Sequence, residues 1–531
     1  MKLNHPIPIL AFHLLFVVML VIFGWNAAIG DWGNYYYGSH GFVDGNKFMI
    51  YDPTEFNSYV DSWHGEKSFL SYTQVPPLSL LIYLPFTLLK IGLAKLVFIV
   101  ITYLICVVSI SKLFKKMQID LRWSLLLPFL LLLPFRSNID SGQSYFLLIA
   151  LLASGWLARE NGKWIISAFL FAFATHLKIF PAIVLIWFLA EKDWKMFGAT
   201  ICAVGILFAI SLTVIDFGIW KYYSVEVLPR LAKGEITNTY ATAYQSMQVF
   251  LKQIFVPDAL HNPSAPFNST FLFQFGNIIW TGIILVIAFL FSFDKKQSSF
   301  LRFSIWILAG VLISGYGSTY GLLLLIFPVI AIFNHSALSP NKKIVLLFLI
   351  GLVANIPVAW IINLVFPFSF LRLILMMCFF AGLIYLIRPQ WNKLALVVMI
   401  IPFFSLINNK SQEEGSKYFL TKERSLLVTD LQLYGDTVIY FVRDIEGVHQ
   451  YRTIFPEHIE QVEEKPQAAH FTFWKVEYRF PGERISKLYV INGKYFLYLS
   501  DKNRGVGFNT IRIKELDPDE KKKRVKEMFG L

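Results

Sequence analysis

The hydrophobic pattern divides the chain into two unlike parts. From Ile7 to about residue 408, apolar runs of helical length follow one another with short polar breaks between them. A span across a bilayer needs about 20 mainly apolar residues. On that basis the pattern predicts thirteen helices, at about 8–29, 93–111, 123–135, 143–158, 164–177, 179–190, 197–215, 273–293, 303–315, 319–333, 344–364, 369–387 and 394–408. The stretch Pro76–Lys90 is apolar but short and bounded by prolines, so it reads as interfacial or re-entrant. Beyond residue 409 the period changes. Thr437–Arg443 and Phe471–Tyr478 are β-branched and aromatic, and Lys487–Ile491 and Lys494–Leu499 flank Asn492-Gly493, a two-residue hairpin signal. A charged segment from Asp517 to Phe529 reads as a closing helix. The predicted fold class is therefore an all-α polytopic membrane protein (domain 1–408) with a small β-rich soluble domain (409–531). A fragment of a propeller-like sheet remains open for the tail, which carries no catalytic motif and reads as a binding or positioning module.

Composition sharpens this reading. Of 531 residues, 56% are hydrophobic, 17% aromatic and only 16% charged, against about 25% charged in an ordinary soluble domain. Nearly half of the charged residues fall in the tail. A single soluble globule, a disordered chain and a fibrous protein are excluded. The net charge of +13 is topological and does not indicate nucleic acid. Basic clusters at Lys112/Lys115/Lys116/Arg122, Arg159/Lys163, Lys192/Lys195, Lys295/Lys296/Arg302, Lys342/Lys343 and Arg388/Lys393 all fall on one side of the predicted path, as cytoplasmic turns do. Lys2 is on that side too, so the N-terminus is expected inside and the tail outside a plasma (inner) membrane. The first apolar run lacks an A-x-A cleavage pattern and reads as a retained helix. Cys106, Cys202 and Cys378 lie within apolar runs, so neither a disulfide framework nor a thiol metal site is expected. The histidines lack metal-ligand spacing and the outer loops lack Asp-x-Asp, so no metal or other cofactor is expected.

Candidate chemistry gathers at the outer ends of helices, where a polar group is expensive and usually functional. Asp31 opens the first outer loop, fixed by helix 1 yet able to reach water, as a general base must be; a plain helix end is the alternative. For Asp44, Asp52 and Asp61, deeper in the loop, a turn or surface role is favoured. A second cluster is Arg136-Ser137-Asn138-Ile139-Asp140-Ser141-Gly142-Gln143. A third is Thr175-His176-Leu177-Lys178-Ile179-Phe180-Pro181, where Lys178 can meet a lipid-linked phosphate or snorkel to the headgroups. His176 alone reads as a satisfied helix-end histidine. The second large outer loop, about 216–272, carries Trp220, Tyr222, Tyr223 and Gln245.

In order, these segments resemble the membrane glycosyltransferases of family 87, in the GT-C superfamily. The family pattern is matched by Asp31 with Tyr35, by Ile50-Tyr51-Asp52, and by Tyr72 with Pro76-Pro77, where extra residues intervene. Gly142-Gln143, Lys178-Ile179-Phe180-Pro181 and Gln245-Ser246 follow. The likeness covers roughly residues 8–335 and excludes the tail. One departure is Ser314-Gly315-Tyr316-Gly317-Ser318-Thr319-Tyr320-Gly321, with Tyr320 where relatives tend to carry a His.

The resemblance implies an inverting, α-1,2-mannosyltransferase-like transfer of a hexose, often mannose, from a polyprenyl-phosphate donor to a glycolipid or glycan acceptor of the cell envelope, on the outer face of the bilayer. It implies Asp31 as base, Lys178 and then Arg136 at the donor phosphate, and Gln143, Tyr35 and Gln245 as hydrogen-bonding partners of sugar or phosphate; His176 and Tyr320 complete the candidate donor site. The rival reading, a lipid-linked saccharide flippase, calls for polar groups across the midplane and internal repeats; the sequence shows neither.

Overall fold

The computed structural model describes residues 6–24, 30–45, 49–51, 56, 59–60, 75–232, 242–257, 262, 265–315, 317–362, 364–388, 391 and 398, together with strands between 427 and 515. Helix α1, Pro6–Gly24, is fastened by its one buried histidine. His13 meets the Tyr103 hydroxyl through Nδ1 at 2.8 Å and Ser124 Oγ through Nε2 at 3.3 Å. The first outer loop does not begin as a loop. Gly30–Val43 is a helix, α2, buried on nearly all sides from Trp32 to Ser39, with Trp32, Tyr36 and Ser39 at helical spacing along one stripe. That face is hydrogen-bonded along its length: Trp32 Nε1 donates to Ile91 O at 3.1 Å, the Tyr36 hydroxyl to Leu89 O at 2.8 Å and Ser39 Oγ to Leu80 O at 2.9 Å. The acceptors lie in the proline-bounded stretch, which is a short helix α3 (Pro77–Tyr83), a 3-10 turn (Leu84–Leu88) and the start of α4 (Ile91–Lys116). At 26 residues and about 1.5 Å each, α4 is roughly 39 Å long.

Leu121–Leu130 is two short turns, and the expected helix 123–135 is broken there. Leu131 leaves helical geometry, and α5 (Leu132–Ser141) starts afresh. Asn355 bridges the break, donating to Leu130 O at 2.8 Å and accepting from Leu133 N at 3.1 Å. Helix α6 (Tyr145–Glu160) leaves α5 at an angle of 117° and packs on α4 and on α7 (Trp164–Leu177). After Lys178, a 3-10 turn through Pro181 leads into α8 (Ile183–Glu191), and α9 (Trp194–Ser211) returns against α7. The remaining helices of nine or more residues are α10 (Met247–Phe255), α11 (Thr270–Phe293), α12 (Ser299–Ile313), α13 (Ile326–Asn334), α14 (Pro340–Asn355) and α15 (Leu371–Ile387). Where one helix was expected over 344–364, α14 stops at Asn355 ahead of Pro357, and a separate turn follows at Val358–Ile361.

Among the described residues four helices are long and apolar enough to span on their own: Ile91–Lys116, Trp194–Ser211, Thr270–Phe293 and Phe368–Ile387; the bent pair α5–α6 makes a possible fifth. The other apolar helices hold 10–17 residues and need neighbours to cover a bilayer. The protein is thus a helical membrane protein; helix length gives four or five spans among the described residues, fewer than the thirteen expected from the sequence pattern. The predicted helix 394–408 and most of 52–74 lie outside the described residues.

In the tail, β1 (Leu427–Tyr434), β2 (Thr437–Asp444), β3 (Gly447–Ile454) and β4 (His458–Val462) form an antiparallel meander with a register shift between Val428 and Asp430. Separately, β5 (Ser486–Ile491), β6 (Lys494–Ser500) and β7 (Ile511–Glu515) form a second sheet, with Ile491 opposite Lys494 across Asn492-Gly493. The expected strand Phe471–Tyr478 and the closing helix Asp517–Phe529 lie outside the described residues.

Candidate active site

Helix α5 ends on Gly142 in the left-handed conformation, φ +65°, with Gly142 N donating to Ile139 O and Gln143 N to Asn138 O at 2.9 Å, a glycine C-cap. A Cβ at Gly142 would stand 2.5 Å from Trp32 Cβ. Glycine is needed twice over, for the turn and for the approach to α2. That approach brings Gln143 to Asp31.

The Gln143 amide is the centre of the site. Its Nε2 donates to Asp31 Oδ2 at 2.6 Å, while its Oε1 accepts from the Tyr35 hydroxyl at 2.8 Å and from Lys178 Nζ at 3.1 Å. Flipping the amide would break all three bonds, so its orientation is determined by its partners. Tyr320 lies close enough to Asp31 to favour its charged form. Asp31 lies in the first turn of α2, beside the positive end of that helix, and Lys178 ends α7, beside a negative end. Both are half-buried. Carboxylate and ammonium are thus held on opposite ends of one neutral amide, which separates them and leaves each able to meet a substrate.

Burial pushes the Asp31 carboxyl up; the Gln143 bond, Lys178, Tyr320 and Lys95 oppose that rise. Burial pulls Lys178 down to about 8, with Asp31 opposing. Aromatic rings wall the pair. Tyr35 stacks on Tyr83 with centroids 4.6 Å apart, Tyr145 lies 5.3 Å from Tyr320, and Lys178 Nζ is 4.9 Å from the centre of the Tyr145 ring. Ser318 Oγ and the Tyr145 hydroxyl both lie against Gly321. The loop that presents Tyr320 is tied down by Arg372, which donates to Thr319 Oγ1 at 2.8 Å and to Ile356 O at 2.6 Å.

Not every candidate converges here. Arg136 is well exposed and pairs with Asp140 four residues on, 3.2 Å away. His176 is buried but donates from Nε2 to Val204 O at 3.1 Å and packs edge-on against Trp220. Gln245 sits under the 315–321 loop, where a Cβ on Gly317 would meet its backbone at 2.5 Å. It donates to Thr242 O at 2.6 Å and Ser369 O at 2.8 Å, and its buried Oε1 has no partner among the described residues. Its neighbour Tyr244 interacts electrostatically with Tyr320, so this segment borders the site without touching Asp31. Tyr51 donates to Val75 O at 3.1 Å and lies 5.5 Å from Tyr223 ring to ring, joining the two outer loops. Asp44 accepts from Tyr59 at 2.6 Å on an exposed turn; Asp52, Asp61 and Tyr72 lie outside the described residues.

Sequence reasoning missed Lys95, whose ammonium donates to Asp140 O and which attracts both Asp31 and Asp140. It also missed Tyr83 and Tyr145. No group of three His, Cys, Asp or Glu that could hold a metal occurs among the described residues.

The side chains gathered at Gln143 come from segments more than 280 residues apart in sequence, from Asp31 to Tyr320. Much of this assembly falls within one family-model match. Residues 72–315 match the family model of Glycosyltransferase family 87. This is the family that the outer-loop motifs resemble. The matched stretch contains Gln143, Lys178 and Gln245; Asp31 and Tyr35 precede it and Tyr320 follows it, and the fold closes all three onto it. The match to family 87 over residues 72–315, together with the long apolar helices, points to a membrane glycosyltransferase, an activity that takes a sugar donor and an acceptor. No curated protein and no solved structure matches the chain.

Proposed function

We propose that the protein transfers a hexose, mannose first among the candidates, from a polyprenyl-phosphate donor to a lipid- or glycan-linked acceptor on the outer face of a plasma membrane, with inversion at the anomeric carbon. The observation that carries this reading is the shared amide: Gln143 holds Asp31 on one side and Lys178 on the other. Asp31 takes the proton of the acceptor hydroxyl as that oxygen attacks the anomeric carbon. The new carbon–oxygen bond forms as the bond to phosphate breaks, and the departing polyprenyl phosphate gains negative charge. Such a leaving group needs charge stabilisation and not protonation; Lys178, a compact point charge, supplies it. The Tyr35–Tyr83 stack and the Tyr145–Tyr320 pair offer flat faces to a sugar ring.

Arg136 is engaged by Asp140 and acts on approach of the donor, not at the reacting phosphate. Gln245 is proposed as an acceptor of a sugar hydroxyl through Oε1. His176 serves the α7–α9 contact. No step requires a metal or cofactor, and the β-rich tail, placed outside the membrane, is a module for binding or positioning acceptor glycans.

Purified protein in nanodiscs with radiolabelled polyprenyl-phosphate mannose and a panel of glycolipid acceptors tests the reading. Asp31→Asn is expected to cost roughly 10²–10⁴-fold in the transfer rate, the usual contribution of a general base, at unchanged donor affinity. Full transfer by a folded Asp31→Asn protein would remove Asp31 as the base. Lys178→Gln is expected to weaken donor binding; unchanged affinity would return Lys178 to a headgroup-snorkelling role.

A further inference from the structure

The far end of α4 carries a second site. Trp32 and Lys95 attach α2 and α5 to the N-terminal end of α4. At its C-terminal end, past Lys115 and Lys116, two cavities of 680 and 340 Å³ open between the 118–130 segment and α14. They share Leu130, Ile344 and Leu347 and so form one groove. Roughly 39 Å of helix separates this mouth from the Asp31 site, about the thickness of a bilayer with its headgroups. The groove therefore opens on the opposite membrane face.

Its chemistry is graded. At the mouth stand Gln118, Asp120 and Lys343; at the other end, open along its side to the hydrocarbon, the lining is Leu130, Leu347, Phe348, Gly351 and Leu352. Asp120 is already neutralised by Arg122, which donates to it from Nε at 2.7 Å, so the mouth is positive in balance. Lys343 donates once to Phe333 O at 2.8 Å, leaving two of its three donors for a ligand. A Cβ at Gly351 would sit 3.3 Å from Leu130 Cδ1, so a large side chain there would crowd this end of the groove. From Pro340 to Leu352 the α14 wall runs roughly 18 Å, close to the ~15 Å of hydrocarbon in one leaflet. We propose that this groove binds one anionic phospholipid of the leaflet facing away from the active site, its phosphate at Lys343 and one acyl chain along α14 to Gly351. The depth of a single leaflet and the unopposed positive mouth select this occupant over a neutral lipid or a polyprenyl chain.

Trp123 lines the groove and reports its occupancy. Full-length protein in vesicles of phosphatidylcholine is titrated with phosphatidylglycerol or phosphatidylcholine carrying brominated acyl chains, and the fluorescence component removed by Trp123→Phe is followed. Half-quenching is expected at a roughly fivefold lower mole fraction of the glycerol lipid, the effect of one basic residue at an anionic surface. Lys343→Gln should erase that preference, Lys343→Arg should keep it, and Gly351→Leu should reduce quenching by both lipids. Equal quenching by the two lipids in the native protein, or a preference that survives Lys343→Gln, overturns the proposal. A Trp123 component that no brominated lipid quenches also overturns it, by showing the groove closed by protein. The transfer assay is independent of these outcomes, so either reading can fail alone.

Discussion

Gln143 shows how much one residue can organise. An amide is the one side chain that can accept from a cation and a phenol at one end while donating to a carboxylate at the other. Gln143→Glu keeps the shape but places a second carboxylate against Asp31, and Gln143→Leu leaves the Tyr35 hydroxyl, Lys178 and Asp31 all without this partner. Both are expected to lose transfer by at least tenfold, with donor affinity falling in Gln143→Leu; steady-state kinetics at varied donor concentration separate the two. Gly142→Ala is expected to cost about 1–2 kcal/mol for a left-handed non-glycine residue and about 1–3 kcal/mol for overpacking against Trp32, read as a lower apparent melting temperature together with reduced transfer. The pH profile follows from the two charged partners. Asp31 must be ionised to act, and its carboxyl is raised by burial, so activity falls as pH drops through a value above the ordinary carboxylate range. Lys178 must be protonated, and burial holds it near 8, so activity falls again as pH climbs through that region. The limbs belong to the interacting pair. Lys178→Arg is expected to push the alkaline limb up by removing the deprotonation, and a profile unchanged by that substitution would assign the limb elsewhere.

At the scale of elements, the helix borders that were readable are those marked by local chemistry, and the contacts between them were not. Trp164–Leu177 was visible from Lys163 at one end and Lys178-Ile179-Phe180-Pro181 at the other. The break at Leu131 carries no proline or glycine of its own, and its satisfaction by Asn355 comes from more than 200 residues away. The Arg136–Asp140 pair was open to foresight, because a partner at i+4 is ready on a helix. Lys95 could not: in sequence it is one lysine near the start of an apolar run, and only the fold brings Asp140 and Asp31 within its reach. Tyr83 and Tyr145 were likewise indistinguishable from interfacial aromatics. The opposite ends of α8 and α12 meet in a tight ion pair, Arg302 Nε to Glu191 Oε1 at 2.6 Å, both side chains largely buried and Lys295 joining from outside. Removing one member leaves the other charge uncompensated, which typically costs about 3–5 kcal/mol. Glu191→Ala should therefore lower the apparent melting temperature sharply, while the double variant Glu191→Leu with Arg302→Leu should recover much of the loss; a stable Glu191→Ala protein would show the pair to be dispensable.

Across the whole molecule, the apolar helical character was the most legible feature, because composition carries it. Strands beyond residue 427 were legible where β-branched and aromatic residues recur, as at Thr437–Asp444 and around Asn492-Gly493. The number of spans was less so, since hydropathy cannot tell a straight span from helices bent or broken at 3-10 turns. Single cysteines placed at Gly162 and Gly45, both on exposed turns in the positive-φ region, are expected to label from opposite sides in intact cells, the second from outside. Labelling of both from one side would reverse or refold the proposed path.

Helix α4 ties these scales together, with the proposed catalytic pair hung from one end and a polar mouth at the other. Its fixed length acts as a ruler against the bilayer. A thinner membrane forces such a helix to tilt or the lipid to stretch, at a modest cost per ångström. Because Trp32 and Lys95 transmit the attitude of that helix directly to Asp31 and the α5 turn, transfer should depend on lipid chain length. It should be fastest where the hydrophobic thickness matches α4 and decline in shorter-chain and longer-chain bilayers alike.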